Sequence, residues 1–362
     1  MTSRVLVVGG SLVGMSLALA VAGQAGHATI LERSPEGGLG GGGLGVDVPL
    51  IQAVTGRSDA PPVYSGPDRD TTAWHLLRDW LAAACSEDDA IRLVMEAEVT
   101  FVTGDPDGAA VSTADGRDWH GDVVVGADGV HSTVRRFVDP TRPSAEYAGF
   151  VLWRAMVREE DLVGVADMPG RDEPSREVYA GQYRLVTYLV PGADGDASPG
   201  HRRLNLVWYD PARQDLLRER GLLAGDEVLG SLHPGDLPDE LSAELRGIAG
   251  QTWPSPWREA LRQAFDQQLV FGTPVAEYLP DRLVAGRAVL AGDAAHAASP
   301  MVGGGFREGL YDAAALARAL GSTLETSAML ASYQSARLEP AIQHVLRSQR
   351  ASRAYLARAR AR

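Results

Sequence analysis

The sequence contains no lysine: all 34 of its basic residues are arginine. That excludes every chemistry that needs a side-chain amine, including Schiff-base catalysis, the P-loop lysine and the kinase lysine. There is one cysteine, Cys85. A disulfide framework and a cysteine-rich zinc site are therefore excluded, no metal site is expected, and nothing demands an oxidising compartment. Positive charge is also in deficit. Acidic residues number 47 and the formal net charge is −13, so the surface repels phosphate backbones and nucleic acid is not an expected partner. Long apolar runs are missing too. Residues 15–23 fall far short of the ~20 residues that a membrane span requires, so no membrane association is expected. A strand-like run over residues 5–8 begins almost at the first residue and leaves no room for a signal peptide. The expectation is a cytoplasmic protein, monomeric or homodimeric.

What remains is an ordinary globular balance over 362 residues, 45% hydrophobic and 22% charged, enough for one or two domains. The first segment is the most legible. Residues 4–8 form a continuous apolar run, as in a parallel strand buried on both faces. A glycine turn, an Ala/Leu-rich helix and a second strand ending in Glu32 follow, which together make a βαβ unit. Residues 37–45 are glycine-dense; such a run is expected to be mobile, without a regular element, and is a candidate hinge or lid. Residues 55–70 read as loop and residues 72–85 as helix. Hairpin-like segments lie near residues 99–102 and 109–112. From residue 147 short strands separated by turns suggest an antiparallel layer, with helix expected over 213–230 and 239–248. An α/β pattern returns near residue 288, with helices over 305–320 and 326–361. The fold class is thus α/β (α+β): a Rossmann-like domain in three parts (1–70, 71–146 and 277–325), an inserted mainly antiparallel β-sheet domain (147–276) that receives the substrate, and a C-terminal helix (326–362).

Three segments carry chemistry. Gly9-Gly10-Ser11-Leu12-Val13-Gly14 fits a dinucleotide-binding turn, with Ser11 where the middle glycine usually stands. Glu32, with Arg33 after it, closes the second strand, where an acid can accept from ribose hydroxyls. The second segment, residues 122–135, includes Asp128, Gly129, Ser132 and Arg135, and reads as a strand-to-helix junction at the carboxyl end of a sheet. The third, residues 289–305, delivers Gly292, Asp293 and His296 to a strand end. After Pro300, Gly303, Gly304 and Gly305 open a helix, whose free amides supply a positive field.

In this order and spacing the segments resemble the FAD-dependent aromatic hydroxylases of the p-hydroxybenzoate hydroxylase type, the class A flavoprotein monooxygenases. Residues 147–154 and 203–209 are most similar to the 2,6-dihydroxypyridine hydroxylase branch. The resemblance implies that FAD and NAD(P)H are the cofactors, and that O2 and a small aromatic or N-heteroaromatic compound are the partners. The ring would be hydroxylated through a C4a-hydroperoxyflavin. It also implies roles. Gly9, Ser11, Leu12, Val13 and Gly14 would face the FAD pyrophosphate, with Glu32 and Arg33 at the adenosine. Asp128, Gly129 and Arg135 would support the cofactor at the second segment. Gly292 and Asp293 would hold the ribityl chain, and Pro300 would lie against the isoalloxazine. The amides of Gly303, Gly304, Gly305 and Phe306 would face the edge of that ring. His296, Pro300 and Arg307 are candidates for the reacting centre. By position, Trp153, Arg154, Tyr188 and Trp208 are candidates for the substrate. Two departures stand out: Trp74 occupies the place where relatives carry an arginine that reaches the pyrophosphate, and Arg307 follows the glycines. The alternatives are a non-catalytic flavin- or ligand-binding protein and a flavin-dependent halogenase. The absence of lysine and the sequence Trp253-Pro-Ser-Pro-Trp257 speak against the halogenase.

Overall fold

The computed structural model describes residues 3–35, 41–104, 108–162, 176–233 and 235–361. In chain order, the elements that build the site are β1 (Arg4–Val8), α1 (Leu12–Ala22), β2 (His27–Leu31), β3 (Gly43–Val46), α2 (Trp74–Ser86), β4 (Ile91–Val94), β5 (Val123–Gly126), α3 (Thr133–Val138), β6 (Glu146–Arg158), β7 (Tyr183–Val190), β8 (Arg203–Asp210), β9 (Phe271–Glu277), β10 (Ala288–Leu290), α4 (Gly305–Leu320) and α5 (Thr326–Arg360).

The first sheet has the spatial order β10-β5-β1-β2-β4, all parallel, with the short strand Val284–Ala285 added antiparallel beside β10. Helices cover it, so its strands are apolar throughout: Val5, Val7, Val123, Val124, Val125, Ile30 and Val289 are all buried in one core with α1 and α4. Parallel pairing puts the carboxyl ends of β1, β2, β5 and β10 on one edge, and those ends carry the glycine turn, Glu32, Asp128 and Asp293. Ligands bind at that edge of such sheets.

The second sheet is antiparallel, in the order β7-β8-β6-β9. Its residues alternate between two faces. One face, with Trp153, Ala155, Leu206 and Trp208, packs on helices Asp239–Thr252 and Trp257–Asp266 in a separate core. The other, with Leu152 and Val207, meets Met301 and, through Phe150 and Tyr209, Tyr355 of α5.

Three sequence expectations change. Only part of the glycine-dense run lies within the described residues, and there Gly43–Val46 is a strand paired antiparallel with Asp70–Ala73. Residues 55–70 are not all loop, because Tyr64–Ser65 pairs on the other side of Asp70–Ala73. The helix expected over 213–230 covers only Gln214–Glu219. Gly221 and Gly225 take positive φ (67° and 60°) and turn the chain into a small hairpin between Leu223–Ala224 and Glu227–Val228.

Candidate functional site

The turn after β1 is shaped by close backbone approach. Gly9 has φ +103°, and a Cβ there would lie 2.5 Å from the Ala127 carbonyl oxygen and 2.8 Å from Asp128 Cα. A Cβ on Gly14 would sit 2.0 Å from the Gly9 carbonyl oxygen. Glycine at these two positions lets α1 start against β1 and β5. Ser11 is the N-cap of α1, yet its hydroxyl caps nothing and no acid stands in the first turn, so the positive end of the helix is left for a ligand. Glu32 Oε2 accepts from Gly10 N–H at 2.7 Å and Oε1 from Ser34 N–H at 2.8 Å. These bonds fix the carboxylate at the rim of a cavity of about 840 Å³, which Gly9, Gly10, Ser11, Glu32, Arg33, Asp128 and Gly129 border.

The second segment uses its polar side chains internally. Asp128 accepts from Ser132 Oγ (2.5 Å), Thr133 N–H (2.7 Å) and Val134 N–H (3.3 Å), and so anchors the start of α3. Surrounding protein pushes its carboxyl above the usual range, against the pull of those bonds. Arg135 is fully buried. Its Nε donates to Ala294 O (2.9 Å), and its Nη atoms donate to Val130 O (2.7 Å) and Asp293 O (2.7 Å). It also stacks 4.2 Å from the Tyr278 ring centroid. Arg135 therefore bolts the second segment to the third, a role that leaves it no access to a ligand.

The third segment packs back on the first. A Cβ on Gly292 would lie 3.0 Å from Val13, and one on Gly309 in α4 2.4 Å from the same side chain. Asp293 reaches solvent, and among the described residues its carboxylate accepts no hydrogen bond. Its Oδ1 would be 3.9 Å from a Cβ on Gly305, which puts it at the mouth of α4. Gly303 and Gly304 take positive φ (61° and 79°), and Gly304 is the N-cap of α4. Pro300 is exposed, Phe306 packs on the first core, and the exposed Arg307 folds its guanidinium back over Gly304.

His296 does not face this opening. It is fully buried and meets Asp312 through Nε2 at 2.6 Å. Asp312 also accepts from Gly292 N–H (2.9 Å) and from Arg337 Nε (2.7 Å) of α5, and Arg337 pairs with Glu308 at 3.0 Å. Although burial opposes the charge, this partnership raises the His296 pKa and lowers that of Asp312. His296 thus holds the third segment in place and does not touch a substrate.

The four substrate candidates separate by strand parity. Arg154 (β6) and Tyr188 (β7) lie on the face turned toward Met301 and β3. Trp153 and Trp208 lie on the other face, 2% and 0% exposed, where Trp153 Nε1 donates to Asp210 and Trp208 stacks edge-on with Trp253. Adjacent strand residues such as Trp153 and Arg154 cannot share a face. Of two residues that the sequence reading passed over, one borders the cavity and the other is buried on the face that carries Arg154. Arg78, one turn along α2 from Trp74, lines the cavity beside Trp74 and lies 5.4 Å from its ring centroid. Asn205 sits on β8 in phase with Val207, where a lone amide in an apolar strand was the available signal.

These residues fit FAD. The turn leaves backbone room and an uncapped helix end for a pyrophosphate, Glu32 stands at the cavity rim, and the unpartnered Asp293 carboxylate suits a polyol chain. Comparisons with known proteins agree. Residues 147–268 match a family described as FAD binding domain-like, and residues 266–348 match one described as FAD binding domain. Aurachin C monooxygenase/isomerase of Stigmatella aurantiaca is 31% identical over 275 residues, covering 76% of this chain and 61% of that protein. FAD-dependent urate hydroxylase of Klebsiella pneumoniae is 28% identical over 254 residues, covering 70% and 57%. The chain therefore spans about three fifths of the length of these two relatives. For 2,6-dihydroxypyridine 3-monooxygenase of Paenarthrobacter nicotinovorans the identity is 27%, with 93% of this chain and 88% of that protein covered. The solved structure of 2,6-dihydroxypyridine-3-hydroxylase from Arthrobacter nicotinovorans superposes with a TM-score of 0.83 at 21% identity, over 98% of this chain and 93% of that one. No helix among the described residues is long and apolar enough to cross a membrane. With three motifs on one sheet edge, the chain carries FAD-binding domains and is similar along most of its length to class A FAD-dependent aromatic hydroxylases.

Proposed function

We propose that this protein is an FAD-dependent monooxygenase that hydroxylates a small aromatic or N-heteroaromatic compound, with NADH or NADPH as reductant and O2 as the oxygen source. The observation that carries the reading is the convergence of Glu32, the Gly9 turn, Asp128 and Asp293 on one edge of the parallel sheet, facing a second sheet that presents Arg154 and Tyr188. Bound FAD supplies the redox and oxygen-transfer chemistry. The chain's own residues bind, orient and shield.

Gly9, Ser11, Leu12, Val13 and Gly14 offer the pyrophosphate the amino end of α1, with Glu32 and Arg33 at the adenosine. Gly129 brings bare backbone to the same cavity, while Asp128 and Arg135 hold that backbone in place. Asp293 accepts from the ribityl hydroxyls, with Gly292 shaping the turn before it. Pro300 and the amides of Gly303, Gly304, Gly305 and Phe306 border the isoalloxazine. The amino end of α4 favours negative charge there, and Arg307 adds a full positive charge. Arg154 and Tyr188 face the substrate, and Met156, Val186 and Val207 on the same face keep water out. Burial pushes the Tyr188 phenol up to about 12, so it stays protonated near neutrality, donating to Gly43 O at 2.6 Å, and does not act as a base. The requirement for NAD(P)H supports a cytoplasmic setting.

The test is direct. Protein loaded with FAD is mixed with NADH or NADPH and a panel of hydroxybenzoates and hydroxypyridines. The reading expects a substrate that accelerates NAD(P)H and O2 consumption and yields a product with one added oxygen atom. Tight FAD binding with no such acceleration across the panel would favour a non-catalytic flavin-binding protein.

A further inference from the structure

A pyrophosphate brings two negative charges into a cavity whose lining is already acidic, with Glu32, Asp79 and Glu98 on its walls. The amino end of α1 offers only about half a positive charge, and phosphate oxygens drawn out of water need more than that. Among the described residues that line the cavity, Arg33, Arg78 and His131 are the basic ones. His131 is not a cation near neutrality. Burial and the charges of Arg33 and Arg135 hold its imidazole below the ordinary value. Arg33 directly follows Glu32, beyond the end of β2, on the adenosine side of the turn. Arg78 is the remaining cation.

Helix geometry aims it. Arg78 stands four residues beyond Trp74 in α2, so the two share a face. Helical side chains lean back toward the amino end, which lays Arg78 over the turn of Trp74. Its Cζ lies 5.4 Å from the Trp74 ring centroid, and its side chain is only 16% exposed. Asp79 accepts from Arg78 Nε at 2.8 Å. That pair joins chain neighbours, however, and a carboxylate 59% exposed competes weakly for a guanidinium. Trp74 is itself held in place. Its backbone N–H donates to Gly42 O at 3.1 Å, and Gly41 presses so close that a Cβ there would lie 2.3 Å from Trp74 Cβ. The indole is thus a fixed wall that keeps the guanidinium in the cavity that the Gly9 turn borders. We propose that Arg78 supplies the cation for the FAD pyrophosphate through a forked contact with its oxygens, and that Trp74 is the positioning residue for Arg78. The proposal rests on the FAD reading of the cavity. The tryptophan at position 74 is then part of the phosphate site, not a gap in it.

The experiment measures dissociation constants of FAD, ADP and adenosine for the full-length apoprotein, FAD by flavin fluorescence and the other two by competition with it. Wild type should prefer ADP to adenosine by at least about tenfold. Arg78→Gln should weaken FAD and ADP by about 10- to 100-fold, the range for hydrogen bonds to a charged group, and leave adenosine within about threefold of wild type. Added salt should weaken FAD binding to wild type and do so much less for Arg78→Gln. Trp74→Ala should weaken ADP by about two- to fivefold, and Trp74→Phe, which keeps a ring face, by less. In the Arg78→Gln background Trp74→Ala should weaken ADP no further, a coupling that a merely structural tryptophan does not produce. If Arg78→Gln does not fold, Arg78→Lys decides the matter. It keeps the charge without the stacked fork, and should weaken ADP by about three- to tenfold with adenosine unchanged. Equal binding of ADP and adenosine by wild type, unchanged ADP affinity in the Arg78 variants, or equal losses for ADP and adenosine overturns the inference and leaves FAD binding standing. Additive losses from Trp74 and Arg78 overturn the positioning role. A wild-type chain that binds no FAD removes the FAD reading itself.

Discussion

Arg135 shows how one residue can hold a site together without touching a ligand. Its fork satisfies main-chain carbonyls from two segments that are 158 residues apart. Arg135→Met leaves those carbonyls buried and unpaired, at a cost of about 3 kcal/mol or more, and should lower the urea midpoint accordingly. Arg135→Lys should not restore it, since an ammonium cannot reproduce the planar fork; a wild-type midpoint in either variant would contradict this role. His344 offers a test by pH. Burial and the charge of His296 nearby push it down to about 4, opposed by Glu308 and assisted by Arg347 and Arg307. The unfolded chain, with an ordinary imidazole near 6.5, therefore binds that proton first. Stability from this group rises with pH between about 4 and about 6.5, on the order of 3 kcal/mol in all. His344→Leu should flatten that limb of the stability–pH curve, measured by chemical denaturation at a series of pH values. His296, whose pKa is raised, works in the opposite sense, and its contribution fades as pH climbs past its own folded value.

Among the elements, the glycine-bearing strand β3 departs furthest from what its sequence suggests. Gly41 has φ +77°, and a Cβ there would lie 2.3 Å from Trp74. A Cβ on Gly43 would lie 2.8 Å from the Tyr188 ring, while both backbone groups of Gly43 are bound by Asn205 and Tyr188. These glycines are there because the strand is pressed between α2 and the second sheet. A local reading cannot see that, since every partner is distant in sequence. Glycine also sets the packing of α1 on α4. Gly309→Ala drives a methyl to 2.4 Å from Val13 and should cost about 1–3 kcal/mol. Val13→Ala in the same chain should recover most of the loss, read from thermal midpoints of the single and double variants. Independent, additive losses would show that the two do not meet.

At the scale of the whole molecule, the part of the sequence with short-range logic was legible. The βαβ unit, the strand-end acids and the helix opened by glycines each announce themselves within about 30 residues, and the parallel sheet follows from them. The second sheet was legible as strands but not as faces. Trp153 and Trp208 are substrate candidates by position along the chain, whereas period-2 alternation sends them to one core and leaves Arg154 and the buried Asn205 on the opposite face. The buried network of His296, Asp312, Arg337 and Glu308 is hidden for another reason: it joins α5 to the third segment, and Arg337 is one of many arginines along that helix. The central claim is that these distant stretches make one cofactor site, and a titration of the apoprotein with FAD, followed by flavin fluorescence, tests it most directly. The account predicts saturable binding of one FAD per chain, weakened by at least about tenfold in Asp293→Ala and in Glu32→Ala, a loss of about 1.4 kcal/mol each. Absence of binding, or affinity unchanged by both substitutions, would contradict it.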